Sequence, residues 1–211
     1  MSPVELLRRG VDALGLTLPV GAQERLMEFL ALLVKWNRTF NLTAIRGEAD
    51  MVTQHLLDSL SLLPFLGGIA SLADVGSGAG LPAIPLAIAR PELRVVSFEP
   101  VQKKAAFQQQ ARIELGLDNL TVRCARVENE QGEFAVVTSR AFSSLSEFVR
   151  LAGHLAEPGG RLLAMKGVHP ADEIAALPDG WQMAACHALR VPGLAAQRHL
   201  VILQKKEDRG R

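Results

Sequence analysis

"LADVGSGAGLPAIPL", Leu72 to Leu86, places Gly76, Gly78 and Gly80 at every second position, behind an apolar run that carries Asp74. "SLADV" reads as a strand and "LPAIPLAIAR" as a helix, so the glycines occupy a strand-to-helix turn. Ligands of open α/β sheets bind outside the carboxyl ends of the strands. Glycine lets the chain turn sharply there and lets backbone come close to a guest. The spacing sorts the guests. A dinucleotide fingerprint, G-x-G-x-x-G, needs its third glycine where Leu81 stands, and a P-loop needs a G-K-[ST] that is missing. Phosphate is therefore not the expected partner. Glu99 closes the next apolar run, at the distance where an acid meets a ribose. A carboxylate there accepts from both ribose hydroxyls and repels a ribose phosphate. Asp74, at the tip of its strand, can face a cation. S-adenosylmethionine, with free ribose hydroxyls and a sulfonium, meets these terms. A turn that is mere punctuation explains the glycines but not the two acids.

Beyond the loop, short apolar runs alternate with helical ones. "RVVSF", "LTVRCA", "FAVVTS" and "GRLLAMKG" read as strands; "VQKKAAFQQQARIELG" and "SLSEFVRLAGHLA" read as helices. This alternation predicts a mostly parallel sheet with helices on both faces. The last two strand-like runs, "WQMAACHALRVP" and "RHLVILQKK", lack a helix between them and predict an antiparallel pair at the sheet edge. Ahead of the loop the apolar period is helical. Leu26, Phe29, Leu30, Leu33 and Val34 share one face, and Met51, Val52, Leu56, Leu60 and Leu63 share another. We divide the chain into a helical extension, 1–66, and an α/β core, 67–211, within one compact unit. The tail "QKKEDRGR" is expected to fray.

The 211 residues carry a net charge of +1, so any nucleic-acid contact must come from local clusters rather than from a global field. Candidate clusters are Arg8 and Arg9, Lys35 and Arg38, Arg123 and Arg126, Lys166, Arg198, and Lys205 with Lys206. Cys124 and Cys186 read as buried thiols. The five histidines show no metal spacing. His55 reads as a helix-packing or polar-rim residue, and Trp36 and Phe40 as core anchors. Asn37 and Asn41 are candidates for fixing the helices onto the rim of the site. No signal peptide and no membrane span is legible, so a cytoplasmic protein without a membrane partner is expected.

"DVGSGAGLPAIPL", "WNRTFNLT", "HLLDSL", "SRAFSSL", "AMKG" and "RHLVIL", taken in order, resemble the bacterial RsmG (GidB) family of 16S ribosomal RNA guanine-N7 methyltransferases. The resemblance runs from about Trp36 to Leu203. Ala83 stands where the family commonly has glycine, and Glu99 where many members have Asp. The resemblance implies a Rossmann-like class I methyltransferase core with a seven-stranded, mostly parallel sheet. It implies S-adenosylmethionine as cofactor and 16S ribosomal RNA as substrate, in the small subunit or an assembly intermediate, and we expect a monomer. Carried onto this chain, Gly76 and Leu81 line the cofactor, Val127 and Glu128 flank its adenine, and Arg140 closes the site near the methyl donor. Together with Asp74, Gly78, Gly80 and Glu99 these form the expected cofactor set. Arg140, Asn41, Lys166 and Arg198 form the expected substrate set, with no metal.

The missing motifs narrow the chemistry. "TSRAF" holds no Pro-Pro loop of the kind used for amino-nitrogen methylation, and Cys124 falls in a strand rather than beside the donor, against attack at a pyrimidine C5. Guanine N7 has a nucleophilic lone pair and needs no base, so no catalytic acid or base is assigned. A small-molecule methyltransferase on the same fold, or a non-catalytic binder of S-adenosylmethionine or RNA, stays open on the residues alone.

Overall fold

The computed structural model describes residues 1–140 and 142–206. Helix α1, Pro3–Ala13, starts where Ser2 Oγ accepts the Glu5 N–H at 3.2 Å. Helix α2, Ala22–Phe40, buries Leu26, Phe29, Leu30 and Leu33 and stops at Asn41, whose φ of 49° no helix continues. A composite helix follows: Glu48–Met51 (α3), a π-helical turn over Val52–Leu57, and Asp58–Leu60 (α4). Met51, Val52, Leu56, Leu57 and Leu60 are all buried in it.

The sheet contains β1 (Ser71–Val75), β2 (Arg94–Phe98), β3 (Leu120–Arg123), β4 (Phe134–Ser139), β5 (Ala156–Lys166), β6 (Trp181–Ala188) and β7 (His199–Lys205). Their order is β3-β2-β1-β4-β5-β7-β6. The first five strands run parallel, and β7 enters antiparallel between β5 and β6. The expected terminal pair is therefore present, with β6 as the edge. Alternate residues serve two cores. Leu72, Val95, Val136, Leu163 and Ile202 face one cluster, which holds α1, α2, the composite helix, α5 (Ala83–Ala89) and α6 (Gln102–Glu114). Ala73, Val96, Val137, Leu162 and Val201 face the other, over α7 (Leu145–Ala152). Burial on both faces is why these strands read as unbroken apolar runs. A short helix, α8 (Ala171–Ala175), precedes β6.

Four expectations shift. Helix α5 begins at Ala83 rather than Leu81, because Leu81 and Pro82 belong to the turn. Strand β3 ends at Arg123, so Cys124 lies outside it and is exposed, while Cys186 on edge strand β6 is half-buried. Phe40, at the last turn of α2, is 39% exposed and packs on the half-buried Trp36, which in turn meets Phe107. Only Trp36 reaches the core. Of the tail, Gln204 and Lys205 continue β7, and residues 207–211 lie outside the described residues. Among the described residues, no helix is long and apolar enough to cross a membrane.

Candidate functional site

The sheet order sets the site. With β3, β2, β1 and β4 adjacent, their carboxyl ends present in sequence Val127 and Glu128, Glu99, the glycine loop, and Arg140. The strand order reverses between β1 and β4, which is where such sheets open a crevice. A cavity of about 410 Å³ lies there. Gly76, Ser77, Gly78, Ala79 and Leu81 line one wall; Arg140, Lys166, Gly167 and Arg198 line another; Thr43, Gln54, His55 and Asp58 of the helical layer close it.

Positive φ runs through the loop at Gly76 (69°), Gly78 (58°) and Gly80 (79°). At Gly80 a Cβ would lie 2.4 Å from Ile84 Cδ1, so the close approach there is to helix α5. Gly78 has open space around its Cβ position, and its bare backbone faces the cavity. The Gly78 N–H donates to Glu99 Oε2 at 2.7 Å, and the Val101 N–H donates to Oε1 at 2.8 Å. Glu99 is buried and is fixed against the loop by these two bonds.

Beneath the loop lies a polar ring that the sequence reading missed. Ser97 Oγ donates to Gln108 Oε1, and Gln108 Nε2 donates to Ser77 Oγ at 2.8 Å, which leaves Ser77 to donate back to Ser97. Gln108 Nε2 also reaches the Gly78 carbonyl at 2.8 Å. Each hydroxyl both donates and accepts, so the ring is satisfied without water. Ser97 inside the apolar run "RVVSF" was the available signal; Gln108, within "QQQ", reads as a solvated helix face.

Asp74 is fully buried beneath the loop. Its Oδ2 accepts the Ala83 N–H at 3.0 Å and so caps α5, while Oδ1 has no hydrogen-bond partner among the described residues. Burial pushes its pKa up to about 7, opposed by that N–H and by Arg140. Asp74 does not line the cavity itself; beneath the glycine wall its carboxyl favours a cationic guest there over a phosphate. The glycine wall and Glu99 fit an adenosine in the same way, so the residues present suit S-adenosylmethionine. Val127 packs in the apolar cluster with Phe98, next to Glu99, whereas Glu128 is exposed. Neither lies on the cavity wall, and of the other expected cofactor residues Asp74, Gly80 and Glu99 sit behind it.

The opposite wall is built from charges. Arg140 Nη1 donates to Asp58 Oδ2 at 3.0 Å and to the Gln54 carbonyl at 3.3 Å, and Arg198 Nε donates to Asp58 Oδ1 at 3.1 Å. Asp58, within the quoted "HLLDSL", was not singled out from the sequence. Its neighbour His55 is buried, with Nε2 3.0 Å from Thr43 Oγ1 and Nδ1 without a hydrogen-bond partner among the described residues. Burial, and next the Arg140 charge, lower its pKa to about 4, so it is neutral at pH 7. Lys166 is engaged: its Nζ is 2.7 Å from Glu173 and touches the carbonyls of Phe142 and Ser143. Asn37 is buried and accepts the Thr43 N–H at 2.9 Å, which folds the rim segment back onto α2. Asn41 is exposed, accepts from Arg46 Nη2 at 2.8 Å, and borders the wall residue Leu42 without lining the cavity itself. Arg8 and Arg9 pair with Glu5 on α1.

Comparison with known proteins adds the lineage. Residues 22–201 match the family described as rRNA small subunit methyltransferase G. A protein of that name from Azoarcus sp. (strain BH72) is 58% identical over 201 residues, covering 94% of this chain and 95% of its own. Another from Nitrosospira multiformis is 51% identical over 214 residues, covering 97% and 99%. Solved structures share the fold at low identity. A glycopeptide N-methyltransferase, MtfA, crystallised with S-adenosylmethionine, gives a TM-score of 0.59 at 13% identity over 72% of this chain and 95% of that one. TrmN from Thermus thermophilus gives 0.57 at 20% identity over 81% and 53%.

Proposed function

We propose that this chain, which belongs to the rRNA small subunit methyltransferase G family, moves the methyl group of S-adenosylmethionine to N7 of a guanine in the decoding-region loop of 16S ribosomal RNA. The enzyme class, methylation of small-subunit rRNA from S-adenosylmethionine, follows from membership. The N7 assignment rests on one observation: among the described residues, the cavity wall offers no available general base. His55 is held at a pKa of about 4 with one nitrogen on Thr43, and Asp58 is occupied by two arginines. Among the described residues, no cysteine lines the cavity. Guanine N7 attacks with a lone pair that carries no proton, so it needs none of these groups. The remaining work is alignment of the base with the donor methyl and exclusion of water.

On this reading the glycine loop with Asp74 and Glu99 holds the donor, and Val127 and Glu128 flank its adenine. Arg140, Arg198, Lys166 and the Asn41 rim receive the RNA. Residues 1–66 act as the helical wall of the acceptor side, and the protein works as a cytoplasmic monomer. Mapping N7-methylguanine in 16S rRNA from cells with and without the gene tests the assignment. Loss of one such mark, restored by the gene, is expected; an unchanged map overturns it. A second arm supplies labelled donor with small subunits, with naked RNA and with a metabolite pool. Label confined to metabolites would reject the RNA substrate.

A further inference from the structure

We propose that Asp58 is a positioning and charge-balancing residue for the methyl-transfer site. It ties two arginines of the cavity wall to the helical layer and cancels one of their two charges. This rests on the reading that the cavity takes the cationic donor and the base.

Asp58 is 3% exposed, while Arg140 and Arg198 are each about one-quarter exposed. All three line the cavity. A carboxylate buried to this degree is costly unless its partners are well placed, and here each oxygen takes one guanidinium, at 3.0 and 3.1 Å. The partners come from separate places: Arg140 follows β4, Arg198 precedes β7, and Asp58 begins α4. The Gln54 carbonyl adds a second hold on Arg140 from the same helical layer. The cavity side of each arginine is thereby fixed in direction before any ligand arrives.

The charge count gives this arrangement its function. When the base nitrogen bonds the methyl carbon, the carbon–sulfur bond breaks and its electron pair stays on sulfur. One positive charge passes from sulfonium to base, and none is created or lost. Two uncompensated guanidiniums would oppose that charge at both ends of its path. With Asp58 in place the triad carries one net positive charge, and neutral His55 adds no other. Within one part-buried cavity, like charges repel more strongly than they do in bulk water.

The test compares two ligands that differ by the charge in question. S-adenosylmethionine carries the sulfonium; S-adenosylhomocysteine does not. Titration calorimetry on the intact protein measures both affinities for the wild type and for Asp58→Asn, which keeps shape and loses charge. We expect Asp58→Asn to weaken S-adenosylmethionine about tenfold and S-adenosylhomocysteine less than twofold, with Asp58→Glu partly restoring the difference. The double variant Asp58→Asn with Arg198→Gln restores the charge count and should recover the wild-type ratio of the two affinities. Equal loss for both ligands, or no recovery in the double variant, overturns the proposal. Should Asp58→Asn not fold by its thermal melt, Arg198→Gln alone carries the test, and its ratio must shift toward S-adenosylmethionine. A wild type that binds neither ligand would instead overturn the donor reading itself.

Discussion

The two walls of the cavity are built by opposite methods. On the proposed assignment, the donor wall is made of backbone and uncharged polar side chains, the glycine loop over the ring of Ser77, Ser97 and Gln108, with the two Glu99 oxygens accepting backbone N–H groups. Its hydrogen-bonded partners lie at most 31 residues apart in the chain. The acceptor wall is made of long charged side chains whose partners lie far apart: 82 residues separate Asp58 from Arg140, and 140 separate it from Arg198. A wall made of backbone is shaped by spacing and can be damaged by a single methyl group. A wall made of paired charges tolerates changes of shape and is sensitive to changes of charge.

The largest expected effect follows from that contrast. Gly80→Val places a branched side chain at φ 79°, with its Cβ 2.4 Å from Ile84 Cδ1 and 3.3 Å from Gln108 Cγ. Backbone strain and collision at about 1–3 kcal/mol each should reduce donor affinity by about a hundredfold, measured by calorimetry. Gly116→Ala is the control, at φ 61° with open space around it. It should cost about 1 kcal/mol of stability and leave donor affinity unchanged. If the two variants bind alike, the loop is a turn and not a donor wall.

Next comes the acceptor wall. Arg140→Ala should slow methylation of small subunits by at least about tenfold, roughly 1.4 kcal/mol of transition-state stabilisation. Unchanged turnover would remove Arg140 from the site. A smaller effect is expected at Gln108→Leu, which strips the polar ring: Ser77 and the Gly78 carbonyl lose their donor, and Ser97 loses its acceptor. Stability should fall by about 1–3 kcal/mol and donor affinity by about fivefold. Lost stability with intact donor affinity would make the ring scaffolding alone.

How far the sequence reads follows the same division. The sheet, its antiparallel end and the glycine loop were legible because each is written in local period and spacing. Leu72 and Ala73 face opposite cores, and that two-sided burial gives the strand its unbroken apolar run. Asp58 was not legible. On a helix an acid three residues after His55 reads as ordinary polarity, and only the fold brings Arg140 and Arg198 to it. Gln108 was hidden for the same reason. Phe40 misled because its helical spacing from Trp36 is real, but the helix ends there and leaves the ring at the surface.

The smallest effect appears in stability rather than in turnover, and it sets the two walls against each other. His55 on the acceptor wall has its pKa lowered from 6.5 to about 4 by burial and by Arg140. As pH falls below 6.5 the unfolded chain takes up a proton that the native chain refuses, so stability is lost on the acid side. Between pH 6.5 and 5 this amounts to about 2 kcal/mol at 1.36 kcal/mol per pH unit. Asp74 under the donor wall has its pKa raised from 3.8 to about 7 by burial. There the native chain keeps a proton that the unfolded chain releases. Its contribution is complete below pH 3.8 and is lost as pH rises toward 7. Urea unfolding of the wild type, His55→Gln and Asp74→Asn from pH 5 to 8 separates the two. His55→Gln should flatten the acid limb by about 2 kcal/mol relative to wild type. Asp74→Asn keeps an oxygen for the Ala83 N–H and should gain stability on the wild type as pH rises. Parallel curves for all three proteins would mean that neither group titrates differently in the folded state, and the contrast between the walls would then rest on geometry alone.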